Sequence, residues 1–207
     1  RTTVYEKGDV VVVDFNLCQD DEVFQKACND LEERIKKGFK KVIIDIRGNP
    51  GGNSNTCDKL LEILGMRPPE YSVYVRYSQK AKLQNGYKKG SGNYHYKGSA
   101  KKAKQNPDIQ LCVLTDCHTF SSATMLAVYV RDGKLGKIIG EPSANNPCSY
   151  GDIIYYSLPN SKISGTISHK QFIRPDDSLK KERMLVPDEQ IKPEYALDRA
   201  LYILGSN

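Results

Sequence analysis

Short, mainly apolar runs alternate along the chain with stretches in which apolar residues recur every three or four positions. The runs have the length of strands and lie within residues 10–15, 41–46, 109–116 and 137–140, with polar residues mostly at their ends. Strands with a near-continuous apolar centre are typical of a parallel sheet buried on both faces. The pattern therefore predicts a buried parallel sheet at the centre of the fold.

Helical periodicity separates these runs. Residues 22–37 follow the acidic pair 20–21, carry apolar side chains at helical spacing and end in Lys-Lys-Gly, which are typical helix boundary signals. Similar spacing predicts a helix that ends at Gly65, a helix over residues 123–130 and a helix over residues 194–204. Strand, helix and strand in this order are typical of a βαβ unit.

A different kind of strand is predicted nearer the C-terminus. Residues 153–156 and 162–167 flank the turn Pro159-Asn160-Ser161, as expected of an antiparallel pair. No internal repeat and no linker interrupts the chain. The sequence therefore predicts a single α/β domain over residues 1–207.

The composition is that of a folded domain. The 207 residues are 39% hydrophobic and 27% charged, which fits one ordinary globular domain. The mean hydropathy of -0.56 and the lack of an apolar run of ~20 residues predict no transmembrane helix. Because the chain begins Arg1-Thr2-Thr3, without an initiator Met or a leader, we expect a processed product or a piece of a longer protein.

The cysteines give no sign of a metal site. Positions 18, 28, 57, 112, 117 and 148 contain no Cys-x-x-C pair and no Cys/His cluster of zinc spacing, so we expect no metal and no cofactor. An even number of cysteines allows disulfides, but those inside apolar runs, such as Cys112, are equally typical of buried free thiols. The sequence leaves both alternatives open.

Positive charge is concentrated in residues 71–107, called here the basic segment. The net charge of the chain is +6, and this segment contains nine Lys or Arg residues and no acidic residue. It also holds six of the 13 tyrosines. We predict a polar, flexible surface excursion that is a solvated loop or a substrate lid. Contact with an acidic partner or with a polyanion, such as nucleic acid stacked on the tyrosines, is the alternative.

Two strand-to-helix junctions carry residues suited to catalysis. Residues 47–52 end in a glycine pair whose backbone N–H groups can face an anionic oxygen. Residues 119–123 place two serines at the start of a helix, where the dipole favours a developing anion. Taken singly, these features are common as a turn and as an N-cap. Together they predict a nucleophile and an oxyanion hole for acyl transfer.

Three motifs follow one another along the chain. They are Asp-x-Arg-x-Asn-x-Gly-Gly at residues 45–52, Ser-Ser-Ala at residues 121–123 and Gly-Glu-Pro at residues 140–142. In this order they resemble those of the C-terminal processing (tail-specific) serine peptidases, a family with tricorn-core and nisin-resistance-protein relatives. The resemblance implies a ClpP/crotonase-like layered β-sheet with flanking helices, and a peptide or protein substrate.

The resemblance also assigns roles to individual residues. Ser121 falls on the position of the nucleophile, and the backbone N–H of Ser122 joins that of Gly51 or Gly52 as the oxyanion hole. The expected substrate-binding residues are Asn49, Thr119 and Asn146.

The general base is where the sequence departs from the family pattern. In the Ser-Lys branch a lysine follows Gly-Glu-Pro, but Asn146 occupies that position here. The chain is therefore closer to the tricorn-core and nisin-resistance branch. In that branch a histidine from a region before the equivalent of residue 1 is the base, and a late Glu supports it.

Candidates for these two roles exist within the chain. His118 is a candidate base, although a histidine on this turn commonly points to solvent. Glu182 is a candidate for the late acid, with a solvated side chain as the alternative. His95 reaches the site only if the basic segment closes over it, and His169 reads as a surface or core side chain.

The function implied is that of a serine peptidase that hydrolyses peptide bonds through an acyl-enzyme on Ser121. The alternative is a non-catalytic peptide-binding or scaffold domain that has lost the base. Nucleic-acid binding is less favoured, because no recognised binding module accompanies the basic segment. The resemblance also implies an extracytoplasmic location and an enzyme core that lacks its N-terminal region.

Overall fold

The structure, a computed structural model, describes residues 2–88 and 90–205. Lys89, one of the nine cations of the basic segment, lies outside the described residues, as does Arg1. The strands of the described chain are β1 (Thr3–Lys7), β2 (Val10–Asp14), β3 (Lys41–Asp45), β4 (Ser72–Tyr77), β5 (Gly92–Tyr96), β6 (Gln110–Thr115), β7 (Lys137–Gly140), β8 (Ser149–Ser157), β9 (Ser164–Ile173) and β10 (Glu189–Gln190). The helices are α1 (Glu22–Lys36), α2 (Asn55–Ile63), α3 (Gln79–Asn85), α4 (Ser122–Asp132) and α5 (Pro193–Ile203).

A six-stranded sheet forms the centre of the fold, with the strand order β1-β2-β3-β6-β7-β10. Strands β2, β3, β6, β7 and β10 run parallel to one another, and β1 is antiparallel to β2. The register places Val12 beside Ile43, and Ile43 beside Cys112. The predicted α/β class and the buried parallel sheet are confirmed.

Side chains of this sheet alternate between two cores because successive residues of a strand point to opposite faces. Val11, Ile44 and Val113 point into the core that α1, α2 and α4 cover. Ile43 and Leu114 point to the other face, where α5 packs. Burial of each such side chain contributes about 1.5–3 kcal/mol, and the layered order of helix, sheet and helix follows from covering both faces.

Local signals set the ends of the first helix as predicted. The Asp21 carboxylate accepts a hydrogen bond of 2.8 Å from the backbone N–H of Phe24 and so caps α1. The helix ends at Lys36, and Gly38 follows with a φ of +100°, a conformation that glycine adopts without strain. The chain then enters β3. The turn that follows β3 at residues 47–52, called here the glycine turn, therefore lies at the edge of the sheet.

A second sheet, called here the small sheet to distinguish it from the large six-stranded sheet, is antiparallel and has the order β5-β4-β9-β8. It contains the predicted pair near the C-terminus, with Tyr155 opposite Thr166, and its strands β8 and β9 are longer than predicted. This pair is called the β8–β9 hairpin below.

The structure corrects the expectation that the basic segment lacks core elements, since β4, α3 and β5 all lie within it. Val75 and Ala81 are buried, and Tyr71 packs edge-on against Phe172 with ring centroids 6.4 Å apart. The ring of Tyr71 packs the basic segment against the rest of the core, because a tyrosine ring buries a large apolar surface while carrying a polar hydroxyl group. A segment without a continuous apolar run therefore still contributes to the core.

Among the described residues, no helix is long and apolar enough to cross a membrane. All six cysteines are free thiols; Cys117 is exposed and Cys148 is half-buried, whereas the other four are buried. The assignment of residues 1–207 to a single domain stays a prediction.

A buried ion pair joins the small sheet to α4. The Arg174 guanidinium, directly after β9, donates to both carboxylate oxygens of Asp132 at distances of 2.6 and 3.1 Å, and both side chains are fully buried. Arg174 also donates to Glu182 at 2.8 Å. Because Asp132 is the last residue of α4, this pair fixes the C-terminal end of that helix to the β8–β9 hairpin.

We expect Asp132→Ala to lower the free energy of unfolding by about 3 kcal/mol, because among the described residues it leaves the buried Arg174 guanidinium with only the partly exposed Glu182 as an ion-pair partner. Urea unfolding followed by circular dichroism measures the loss. The matched control is Asp177→Ala, which removes an exposed carboxylate that pairs with Lys180 at 4.0 Å. That variant should change the free energy by less than about 0.5 kcal/mol. Equal losses in the two variants contradict the interpretation.

Candidate active site

Two turns lie side by side at the carboxyl edge of the large sheet. The first follows β3 and leads into α2, and the second follows β6 and leads into α4. Strands β3 and β6 are adjacent and parallel, so their carboxyl ends reach the same edge, which is where open α/β sheets bind ligands. The fold thus brings together the two junctions singled out in the sequence.

Asn49 is the scaffold of the first turn. Its side-chain amide donates to the carbonyl of Phe15 at 2.6 Å, and its Oδ1 accepts from the Gly51 N–H at 2.8 Å. Its own carbonyl accepts from the Phe120 N–H of the second turn at 2.9 Å. Asn49 is completely buried, so the structure does not place it where a substrate could touch it, contrary to expectation.

Asp45 and Arg47, the first two polar residues of the Asp-x-Arg-x-Asn-x-Gly-Gly motif, hold the first turn in place. The Arg47 side chain donates to Asp45 at 2.8 Å and also to the carbonyl of Pro193, at the start of α5. The hydrogen bond that Arg47 donates to the Asp45 carboxylate raises the pKa of the Arg47 guanidinium. Arg47 and Asp45 thus connect the glycine turn to α5, the helix that covers the opposite face of the sheet.

Asp116 joins the two turns, a role that the sequence analysis missed. Its carboxylate accepts from the Gly48 N–H at 2.9 and 3.0 Å, and from the His118 N–H at 3.0 Å. Thr119 lies beside it, fully buried, and donates its hydroxyl to the carbonyl of Ile46 at 3.0 Å. Thr119 therefore stabilises the two turns from inside, whereas we expected it to be accessible to a substrate.

Ser121 occupies a strained backbone conformation at the N-terminus of α4, with φ 53° and ψ −122°. Such a conformation costs on the order of 1–3 kcal/mol in a residue other than glycine. Its N–H donates to the Asn145 Oδ1 at 2.8 Å. Gly51 packs against it, because a Cβ added to Gly51 would lie 2.6 Å from the Ser121 Cβ.

The backbone N–H groups near Ser121 differ in their availability. The Gly51 N–H is committed to Asn49. Within residues 2–88 and 90–205, the N–H groups of Gly52 and Ser122 donate to no protein acceptor. The Ser122 hydroxyl donates to the Gly52 carbonyl at 2.7 Å and ties these two residues together. Of the predicted donors, Gly52 and Ser122 are thus the pair that is free to bind an anionic oxygen.

Two buried thiols lie beneath the glycine turn. The Sγ atoms of Cys18 and Cys57 are 3.8 Å apart, and Cys57 donates to the Ser122 carbonyl at 3.3 Å. The hydrogen bond between the thiols lowers the pKa of Cys18 and raises that of Cys57. The backbone of Cys18 also pairs with the turn, since its N–H donates to the Gly51 carbonyl at 3.1 Å.

Among the described residues, no hydrogen bond joins any of the three histidine rings to Ser121. His118 is exposed, and in the described chain no hydrogen bond joins its ring to Ser121. His95 stacks on Tyr74 with ring centroids 4.0 Å apart. His169 is buried against Tyr87, at 3.3 Å from its hydroxyl. The base that the reaction requires is therefore not identified among these side chains.

Glu182 and Asn146 are likewise held elsewhere. Glu182 pairs with Arg174 near the C-terminal end of α4, and the eleven residues of α4 span about 16 Å at 1.5 Å per residue. This separates Glu182 from Ser121. The Asn146 Oδ1 accepts from the Cys148 N–H at 2.8 Å, so its side chain shapes the loop after β7.

Asn145 is the second residue near Ser121 that the sequence analysis missed. Besides the Ser121 N–H, its Oδ1 accepts from the hydroxyl of Thr124 at 2.6 Å. The Gly-Glu-Pro motif was a signal that the following loop approaches the serine. Which of the two adjacent asparagines turns inward depends on the path of that loop, which the sequence does not show.

The sequence matches the family model described as peptidase family S41 over residues 7–184. No curated protein matches it significantly. Among solved structures, a photosystem II D1 C-terminal processing protease is similar with a TM-score of 0.58 and 21% identity, over 96% of this chain and 47% of that one. Mature CPAF is similar with a TM-score of 0.58 and 12% identity, over 98% of this chain and 52% of that one.

A lipoprotein from Streptococcus agalactiae is a third similar structure. Its TM-score is 0.61 and its identity 15%, over 99% of this chain and 69% of that one. At these identities the likeness shows the fold. The chain spans about half the length of the C-terminal processing protease and of CPAF.

We expect Asn145→Ala to lower the free energy of unfolding by about 2 kcal/mol, because the N–H of the half-buried Ser121 and the hydroxyl of the buried Thr124 lose their shared acceptor. Asn145→Asp keeps an acceptor oxygen in place and should cost less than about 1 kcal/mol. Thr124→Val removes one of the two hydrogen bonds and should fall between the two. Urea unfolding of the three variants tests this order, and a loss in Asn145→Asp equal to that in Asn145→Ala contradicts it.

Proposed function

Because the chain belongs to peptidase family S41, we propose that it is the core of a serine peptidase in which Ser121 is the nucleophile. The observation that carries the proposal is the position of Ser121. It stands in a strained conformation at the N-terminus of α4, beside the N–H groups of Gly52 and Ser122, which donate to no acceptor among the described residues. A helix N-terminus and free amides favour negative charge on an oxygen bound there.

In the proposed reaction the Ser121 hydroxyl attacks the carbonyl carbon of a peptide bond. Its proton passes to a general base while the Oγ–C bond forms, and the carbonyl oxygen becomes an oxyanion. The N–H groups of Gly52 and Ser122 bind this oxygen. When the intermediate collapses, the amine leaves with the proton of the base, and water then releases the acyl group by the same steps.

We propose that none of the side chains around Ser121 in the described structure is the general base. This follows from the placement of His95, His118 and His169, and from Asn146 at the position of the lysine of the Ser-Lys branch. The resemblance to the tricorn-core and nisin-resistance branch supports a histidine from a region preceding residue 1. An extracytoplasmic location is proposed on the same resemblance, and the similarity to a lipoprotein supports it.

A second candidate function is a peptide-binding scaffold without catalysis. The observation that favours it is that no titratable side chain bonds the Ser121 hydroxyl within the described residues. Such a domain keeps the glycine turn and the serine turn, but nothing activates the nucleophile.

Reaction of the full-length protein with a fluorescent fluorophosphonate separates the two functions. We expect covalent labelling that Ser121→Ala abolishes, because an activated serine attacks the phosphorus atom and keeps the probe. The control is Ser161→Ala, at the exposed tip of the β8–β9 hairpin, which should label like the unaltered protein. Labelling that persists in Ser121→Ala refutes the assignment of the nucleophile, and a lack of labelling in the unaltered protein favours the scaffold.

The pH dependence of labelling identifies the type of base. Because only the unprotonated base accepts the serine proton, the rate should rise with pH through the pKa of that base. For a histidine the midpoint is expected at about 6.5, against about 10.4 for a lysine in its ordinary environment. Labelling rates measured between these values test the proposal, and a rise only above pH 9 argues against histidine.

A further inference from the structure

One face of the small sheet carries a row of side chains that crosses all four strands. The pairing places His95 of β5 beside Tyr74 of β4, Tyr74 beside Gln171 of β9, and Gln171 beside Tyr150 of β8. The Tyr74 and His95 rings stack in parallel with an interplanar angle of 1°. Tyr150 is 70% exposed and Tyr74 46% exposed, so this row offers flat ring surfaces to solvent.

A groove of about 480 Å³ runs along this row. Arg76 and Asn93 lie opposite each other in the next row and line the same groove. Arg76 is exposed, and its guanidinium makes no hydrogen bond or ion pair within the part of the chain that the structure describes. A free cation beside stacked rings is the arrangement that binds a carboxylate next to an apolar or aromatic group.

The surroundings of the groove are positively charged. Strands β4 and β5 both belong to the basic segment, with nine cations and no carboxylate. The other cation that lines the groove, Lys170, is already paired with Asp152. The local field therefore attracts a negatively charged ligand, and Arg76 is the cation in the groove that is free to pair with it.

We propose that this groove is a binding site for an extended, acidic peptide segment. Four strands at about 4.8 Å spacing give the aromatic row a length of about 14 Å. An extended chain advances about 3.3 Å per residue. The row thus accommodates about four residues, with a carboxylate at Arg76 and apolar or aromatic side chains on Tyr74, His95 and Tyr150.

A peptide fits the groove better than a nucleic acid does. Single-stranded nucleic acid also stacks on aromatic rings, but its affinity comes from several cations that follow successive phosphates. Among the described residues that line the groove, Arg76 is the one unpaired cation, and a single carboxylate needs no more than one.

The site is made of residues of the small sheet and uses no residue assigned to catalysis. Peptide binding there does not depend on Ser121 and is measured in the Ser121→Ala protein, in which cleavage cannot consume the probe. The outcome is therefore distinguishable from that of the peptidase proposal.

The test is fluorescence anisotropy with a short, fluorescein-labelled peptide in which Glu alternates with Tyr. We expect Arg76→Gln to raise the Kd about tenfold, as for loss of a charge-assisted hydrogen bond. Tyr74→Ala should raise it about fivefold through loss of stacking. The matched control is Lys80→Gln, which removes an exposed cation of the same segment outside the groove and should change the Kd by less than about twofold.

Two further probes complete the experiment. A peptide with Lys in place of Glu should bind at least about tenfold more weakly, because it brings a cation to Arg76. An equally labelled oligothymidine should also bind more weakly than the Glu peptide. Equal effects of Arg76→Gln and Lys80→Gln overturn the proposal, as does the absence of binding. Tighter binding of oligothymidine that depends on Arg76 overturns it in favour of nucleic acid.

Discussion

The close approach of Gly51 to Ser121 is the constraint on which the active-site edge depends. The space for a Cβ on Gly51 is already taken by the serine and by the backbone of Phe120 and Ser122. Two turns from separate strands reach this distance only because Asn49 and Asp116 each bond across the gap. The strain in Ser121 is therefore balanced by hydrogen bonds from buried groups that hold a single geometry.

Much of the large sheet could be predicted from the sequence, because its signals are local. Short apolar runs rich in β-branched residues, such as residues 42–44, favour a strand covered on both faces, and the helix after Asp21 is set by its cap and its periodicity. The positions of the two turns followed from these elements. The nature of their residues and their order then pointed to Ser121 and the glycine pair.

Strands β4 and β5 of the small sheet and the residues that hold Ser121 could not be predicted, because they depend on long-range contacts. Strand β4 mixes Tyr, Arg and Val, and it becomes a strand through its partners β5 and β9 rather than through its own pattern. Asn49 and Thr119 looked accessible because polar residues in turns usually are, but they serve the turns from inside. The contact of Asn145 with Ser121 depends on the path of one loop. The identity of the general base depends on which side chains approach Ser121 in three dimensions, and a linear motif does not define this.

The buried pair of Arg174 and Asp132 determines where the protein can be redesigned. The exposed tip of the β8–β9 hairpin, residues 158–163, is far from this pair in sequence, so a tag or a grafted epitope inserted there leaves it intact. Shortening the hairpin at its base would instead remove the only guanidinium that bonds Asp132 among the described residues. The carboxylate of Asp132, at the end of the helix that follows Ser121, would then lose its ion pair and keep the hydrogen bond from the Asp176 N–H. The hairpin is thus a surface for adding peptides and a poor place for deletion.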